Sequence, residues 1–237
     1  MKIYRIPEKI SALIFDLDST LYTNDDYVRF QLESPVRRLA EIRGMSPGEL
    51  QGEIEEYRKD YAKDHEGAQV SLGNIFKRLF NIGMEETIRW REELYKPEDF
   101  LSPDPRLRET LLRLRNEYAL AVYTNNPVLV ARKTLAVLGV EDLFQVITGL
   151  DTCRVSKPNE ISLRKTAALL GFPPEACVAV GDRYDIDLAL PLKLGMGGIL
   201  VDGVEDIYCL PDELFPKCQI LKTSSDTPFL TGKDHLE

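Results

Sequence analysis

The 237-residue chain is long enough for one sizeable core and a smaller accessory domain, and its 43% hydrophobic and 29% charged residues exclude a disordered or fibrous protein. Its formal net charge of −9, from 39 acidic against 30 basic residues, repels polyanions and excludes nucleic acid as an expected partner. No apolar run approaches the roughly 18 residues of a membrane span, and the N-terminal MKIYRIPEKI lacks the apolar stretch of a secretory signal, so a cytoplasmic address without a membrane partner is expected.

Taken in chain order, the first element is the apolar run Ala12 to Phe15, which reads as a buried strand because it is continuous rather than alternating. The stretch from about Asp25 to Lys96 is rich in Glu, Arg, Leu and Tyr and reads as about four helices. Its breaks fall at Gly44 to Pro47, around Glu66-Gly67 and at Asn81 to Gly83, with Ser46 as an N-cap before Pro47. Pro97 and Ser102-Pro103-Asp104-Pro105 mark the return to the core. Further strands are read at Leu120 to Tyr123, Val178 to Val180 and Ile199 to Val201, with a weaker one at Gln145 to Ile147. Helices are read at Val128 to Leu138, Glu160 to Leu170 and Leu188 to Leu194, each closed by a glycine. Strands alternating with helices predict an α/β fold with a parallel sheet. Cys153, Cys177, Cys209 and Cys218 have no metal-binding spacing and are expected to be buried free thiols.

The chemistry-bearing residues gather at the carboxyl ends of these strands, where open α/β sheets bind ligands. The first strand runs into Asp16-Leu17-Asp18-Ser19-Thr20. The strand ending at Tyr123 is followed by Thr124-Asn125-Asn126, a hydroxyl and two amides suited to phosphate oxygens. Val178 to Val180 runs into Gly181, read as a tight turn, and then Asp182, Asp185 and Asp187. Lys157, before Pro158, supplies an ammonium. Each piece has an innocent alternative: an Asx turn for the two aspartates, a helix cap for Asn126, a surface position for Lys157 and helix-dipole acids after Asp182. Crowded together, however, such carboxylates repel unless a cation neutralises them, and oxygen-only ligands suit Mg²⁺.

In order and spacing, the Asp16 to Thr20 run, Thr124-Asn125, Lys157-Pro158 and Gly181-Asp182 with Asp187 resemble the four motifs of the haloacid dehalogenase-like superfamily, over about residues 10–203. The resemblance implies a Rossmann-like core with helices on both faces and a Mg²⁺-dependent phosphatase. Asp16 would be the nucleophile forming an aspartyl-phosphate, and Asp18 the general acid and base with its carbonyl on the metal. Thr124 and the backbone at Asn125 would hold phosphoryl oxygens, Lys157 would neutralise charge, and Asp182 would bind Mg²⁺. Asp187 is the preferred second acid of that loop; Asp185 is the alternative, otherwise capping the next helix. Asp18 argues for phosphoryl transfer, because dehalogenating relatives lack an aspartate there.

The helical insert resembles the family's cap domain, which implies a core of residues 1–22 and 97–237 and an all-helical cap of residues 23–96. Enclosure under a cap favours a small phosphorylated metabolite, a sugar phosphate or a nucleoside monophosphate, the latter suggested by the Leu21-Tyr22 resemblance to nucleotide-specific relatives. A monomer or homodimer is expected. The insert's aromatic residues, such as Tyr57 with Tyr61 and Phe76 with Phe80, read as bundle core, and His65 as a surface residue. The alternatives are a phosphomutase using the same aspartates and a non-catalytic sensor of a phosphorylated ligand.

Overall fold

Six strands form one sheet in the computed structural model, which describes residues 1–65 and 70–215. They are β1 (Lys2–Arg5), β2 (Ala12–Phe15), β3 (Ala119–Tyr123), β4 (Val146–Thr148), β5 (Cys177–Gly181) and β6 (Gly197–Leu200), in the spatial order β1-β6-β5-β2-β3-β4. From β6 to β4 the pairings are parallel, and β1 joins β6 antiparallel. The five strands read from the sequence are parallel as expected, and the additional edge strand β1 makes the whole sheet mixed. All four residues of β1 are exposed, so this edge strand buries no face and leaves no apolar run to read.

The helices are α1 (Asp25–Arg43), α2 (Pro47–Asp64), α3 (Leu72–Phe80), α4 (Met84–Leu94), α5 (Pro105–Arg115), α6 (Val128–Leu138), α7 (Leu150–Cys153), α8 (Glu160–Leu170), α9 (Ala189–Lys193) and α10 (Val204–Leu214). Alternate residues of β2 feed the two sides of the sheet. Leu13 and Phe15 pack in one cluster with Leu111 of α5, Leu135 of α6 and Leu210 of α10. Ala12 and Ile14 pack in another with Leu163 and Ala167 of α8. Helices thus cover both faces, as a Rossmann-like core requires.

The four expected insert helices are α1 to α4, with the predicted Ser46 cap closing a capping box with Glu49 at the start of α2. Asn81 ends α3 in the left-handed region, and the expected break at Glu66-Gly67 lies outside the described residues. A separate apolar cluster joins these helices through Leu39, Ile54, Phe76, Phe80 and Trp90. Tyr27 and Phe30, early in α1, pack instead into the sheet's own cluster beside Phe100. His65 is exposed and stacks on Tyr61.

The helix read at Leu188 to Leu194 is the short α9, entered through a π-helical turn, Tyr184–Leu188, in which the Ala189 N–H donates to the Tyr184 carbonyl five residues back. Two further expectations are corrected. The last strand begins two residues earlier than read, at Gly197, where a Cβ would lie 2.8 Å from both Pro7 and Val178. Cys177 is buried and Cys153 half-buried, but Cys209 is exposed on α10; Cys218 lies outside the described residues. Among the described residues, no helix is long and apolar enough to cross a membrane.

Candidate active site

The chain leaves β2 for β3 and β4 on one side, then returns to β5 and β6 on the other, so the strand order reverses beside β2. A crevice opens at such a switch point, at the carboxyl ends of the strands. Asp16 stands there immediately after β2, its N–H still donating to the Val180 carbonyl at 2.8 Å. Thr124 comes directly after β3, anchored by its N–H to the Thr148 carbonyl at 3.0 Å, and Asp182 directly after β5.

Lys157 reaches this point from the segment before α8 and is almost fully buried, with its side chain 2% exposed. Its ammonium has three donors and uses all of them: Asp16 Oδ1 at 2.6 Å, Asp187 Oδ1 at 2.7 Å and the Tyr123 carbonyl at 2.7 Å. Its backbone N–H donates to Asn125 Oδ1 at 2.7 Å, tying this segment to the end of β3. Lys157 is thus no surface lysine.

Asp16, Asp182 and Asp187 each offer an oxygen within 4.8 Å of the others. Asp185 is exposed and outside this group, and it sits inside the π-helical turn rather than at a helix cap, which corrects the capping role read for it. Gly181 is the last residue of β5 rather than a turn; a Cβ there would stand 2.5 Å from Cβ of Asp187, so close approach of that acid demands glycine. Arg183 N–H fixes the same acid through Oδ2 at 3.1 Å.

Burial pushes the Asp16 carboxyl up to about 7; Lys157 opposes the rise, and the Asp187 and Asp18 charges add to it. Burial also raises Asp182, with Asp187 adding to the effect. The Lys157 ammonium lies above its ordinary value: burial lowers it, and the two facing carboxylates more than offset that. Asp182 Oδ1 is buried without a hydrogen-bond partner among the described residues. Three converging carboxylates, one ammonium and an orphaned oxygen are short of positive charge, and a hard cation with oxygen ligands fits this donor set.

Asp18 lies at the edge of the crevice and takes three donors. Tyr22 O–H and Gln31 Nε2 both donate to Oδ1, the latter at 3.0 Å, and Asn126 Nδ2 donates to Oδ2 at 2.8 Å. Burial and the Asp18 charge hold the Tyr22 phenol well above its ordinary value, so it remains a donor. Asn126 does not cap α6, whose N-cap is Pro127. Its N–H instead donates to Thr124 Oγ1 at 3.1 Å, closing a tight turn that presents the Thr124 hydroxyl. From α4, Arg91 Nη1 donates to the Asn125 carbonyl at 2.8 Å. The sequence carried no signal for Gln31 or Arg91. A groove of about 490 Å³ between α1 and α2, lined by Leu32, Val36, Gln51 and Arg58, contains none of these groups.

A Rossmann-like core with an acidic crevice at its switch point places the chain among α/β proteins that bind ligands at their strand ends. Residues 10–191 match the family model described as haloacid dehalogenase-like hydrolase, and the chain belongs to that family, in its phosphatase branch. It is 28% identical over 187 residues to a phosphoglycolate phosphatase of Aquifex aeolicus, covering 78% of this chain and 81% of that one. It is 27% identical over 193 residues to a glyceraldehyde 3-phosphate phosphatase of Methanopyrus kandleri, covering 79% and 82%. A crystal structure of a phosphatase of this family from Thermococcus onnurineus shares 25% identity with a TM-score of 0.55, over 81% of this chain and 86% of that one.

Proposed function

We propose that this enzyme hydrolyses a small phosphorylated metabolite through an aspartyl-phosphate on Asp16, with Mg²⁺ held by Asp16, Asp182, Asp187 and the Asp18 carbonyl. The observation that carries the reading is the convergence of Asp16, Asp182 and Asp187 at the sheet's switch point, with one buried ammonium paired to Asp16 and Asp187. When bound, Mg²⁺ would supply positive charge to the phosphoryl group and let nucleophile and phosphate approach.

The chain's own residues perform the rest. An Asp16 carboxylate oxygen attacks phosphorus while the bond to the leaving oxygen breaks, and Asp18 gives that oxygen a proton. Asp18, now a carboxylate, takes a proton from water as the water oxygen bonds to phosphorus and the Asp16–phosphorus bond breaks. The Thr124 hydroxyl and the backbone at Asn125 hold the phosphoryl oxygens, and Lys157 orients Asp16 and favours its ionised form against the effect of burial. Residues 23–96 act as a cap over this crevice, with residues 1–22 and 97–237 as the core; Arg91 meeting the Asn125 carbonyl supports that reading. Enclosure favours small substrates.

A panel of phosphorylated metabolites tests the proposal by phosphate release, with and without Mg²⁺. Two- and three-carbon phosphates of the kind named for the relatives belong in it, beside sugar phosphates and nucleoside monophosphates. Mg²⁺-dependent release from at least one is expected. Release from none, with the protein folded, would overturn it.

A further inference from the structure

Gln31 is a half-buried amide on α1 that spends every polar atom on the edge of the active site. Its Nε2 donates to Asp18 Oδ1 at 3.0 Å and to the Tyr22 oxygen at 3.1 Å, and its Oε1 accepts from Asn126 Nδ2 at 3.2 Å. The orientation of the amide is fixed by its surroundings, because the flipped form would set Oε1 against the Asp18 carboxylate. The backbone is equally constrained. Asn24 caps α1 and donates to the Phe100 carbonyl at 2.9 Å, while Tyr95 O–H, just past α4, donates to the Gln31 carbonyl at 2.6 Å. Tyr22 and Tyr95, one at each connection between the helical insert and the core, thus both contact Gln31.

We infer that Gln31 is a positioning residue for Asp18, which holds only if Asp18 is the acid and base proposed above. Tyr22 and Gln31 together occupy both lone pairs of Oδ1. Oδ2 takes one donor, Asn126, and keeps one lone pair open. The proton that moves to the leaving oxygen, and later from water, is thereby assigned to Oδ2. Asn126 belongs to the turn that presents Thr124, so Gln31 also sets the acid's position relative to the phosphoryl group. Without Gln31, Oδ1 regains a free lone pair and the carboxyl can rotate, so the effect falls on proton transfer and leaves attack by Asp16 untouched.

The test compares kcat/KM for phenyl phosphate, a poor leaving group, with p-nitrophenyl phosphate, a good one, using the full chain with Mg²⁺. This ratio constant reports the steps up to transfer onto Asp16, where only the poor leaving group needs the acid. Gln31→Leu should lower kcat/KM for phenyl phosphate about 10- to 30-fold and for p-nitrophenyl phosphate no more than about 3-fold, a fraction of the full contribution of a general acid. Tyr22→Phe, which removes the other donor to Oδ1, should give the same split. In an Asp18→Asn background, Gln31→Leu should have no further effect on phenyl phosphate, because its influence runs through that carboxyl. Equal losses for the two substrates in both variants, or an undiminished loss in the Asp18→Asn background, would overturn the inference while leaving Asp18 as the acid. An Asp18→Asn variant that itself slowed both substrates equally would instead remove the acid–base reading, and the role of Gln31 with it.

Discussion

The strand-end crevice and the helical insert treat charge in opposite ways. In the crevice, Lys157 pairs with Asp16 and Asp187 with 2%, 6% and 3% of the side chains exposed. On the insert, Arg29 pairs with Asp26, Arg37 with Glu33 and Lys63 with Asp60 on the open surface. A buried group of carboxylates costs stability through desolvation and repulsion, a cost that the proposed chemistry accounts for. The insert is held by its apolar cluster, and its surface pairs add little. Stability and activity should therefore separate by region.

The largest effect expected is that of Asp16→Asn, which should lower turnover by at least about 10⁴-fold with the fold intact, since an amide is a poor nucleophile of nearly the same shape. Steady-state assay of a variant with unchanged circular dichroism checks it. Chelation should abolish activity and Mg²⁺ restore it, with Ca²⁺ much less effective because its looser coordination misplaces the nucleophile. Asp182→Ala should raise the half-activating Mg²⁺ concentration far more than Asp185→Ala, whose side chain lies outside the carboxylate group.

The same cluster predicts a pH signature. Because burial raises the folded Asp16 above its ordinary value, the metal-free folded state binds that proton more tightly than the unfolded chain does. The resulting stability is present below the ordinary carboxylate range and is lost as pH rises toward about 7. Mg²⁺ competes with the proton for the same oxygens, so it should raise Tm more at pH 8 than at pH 5, as thermal unfolding would show.

Lys157→Met should destabilise the metal-free protein by about 3–5 kcal/mol at pH 8, because two buried carboxylates lose the ammonium between them. Arg29→Met on the insert should change stability by less than about 1 kcal/mol. Urea titrations of both variants sharpen the contrast. Ile54→Ala, in the fully buried insert cluster, should cost about 2–5 kcal/mol while leaving the Mg²⁺ requirement unchanged. A shifted Mg²⁺ requirement in that variant would show that the two regions are not separable.

The parts of this molecule visible in its sequence are those where one residue type has one physical reason to be there. β2, β3 and β5 are buried on both faces and so read as continuous apolar runs, and Ser46-Pro47 announces α2 because the cap chemistry is local. The exposed strand β1 gave no such signal, and α5 and α10 come after loops whose prolines and glycines mark a boundary without specifying the next element. In the site, Asp16, Asp182 and Lys157 were accessible because each lies just past a strand or within a motif. The preference for Asp187 over Asp185 came from the motif resemblance, and the π-helical turn that carries Asp185 had no signal in the spacing. Gln31 and Asn126 reach Asp18 from 13 and 108 positions away, a contact made by tertiary folding alone.

Covalent capture during turnover tests the central claim most directly. Enzyme mixed with a rapidly hydrolysed phosphoester and Mg²⁺, acid-quenched and reduced with borohydride, should convert its acyl phosphate to homoserine, which peptide mass spectrometry can locate. Homoserine at position 16, absent without substrate and absent in Asp16→Asn, is the expected result. Turnover without any reducible acyl phosphate, or homoserine at another aspartate, would contradict the assignment of Asp16 as nucleophile.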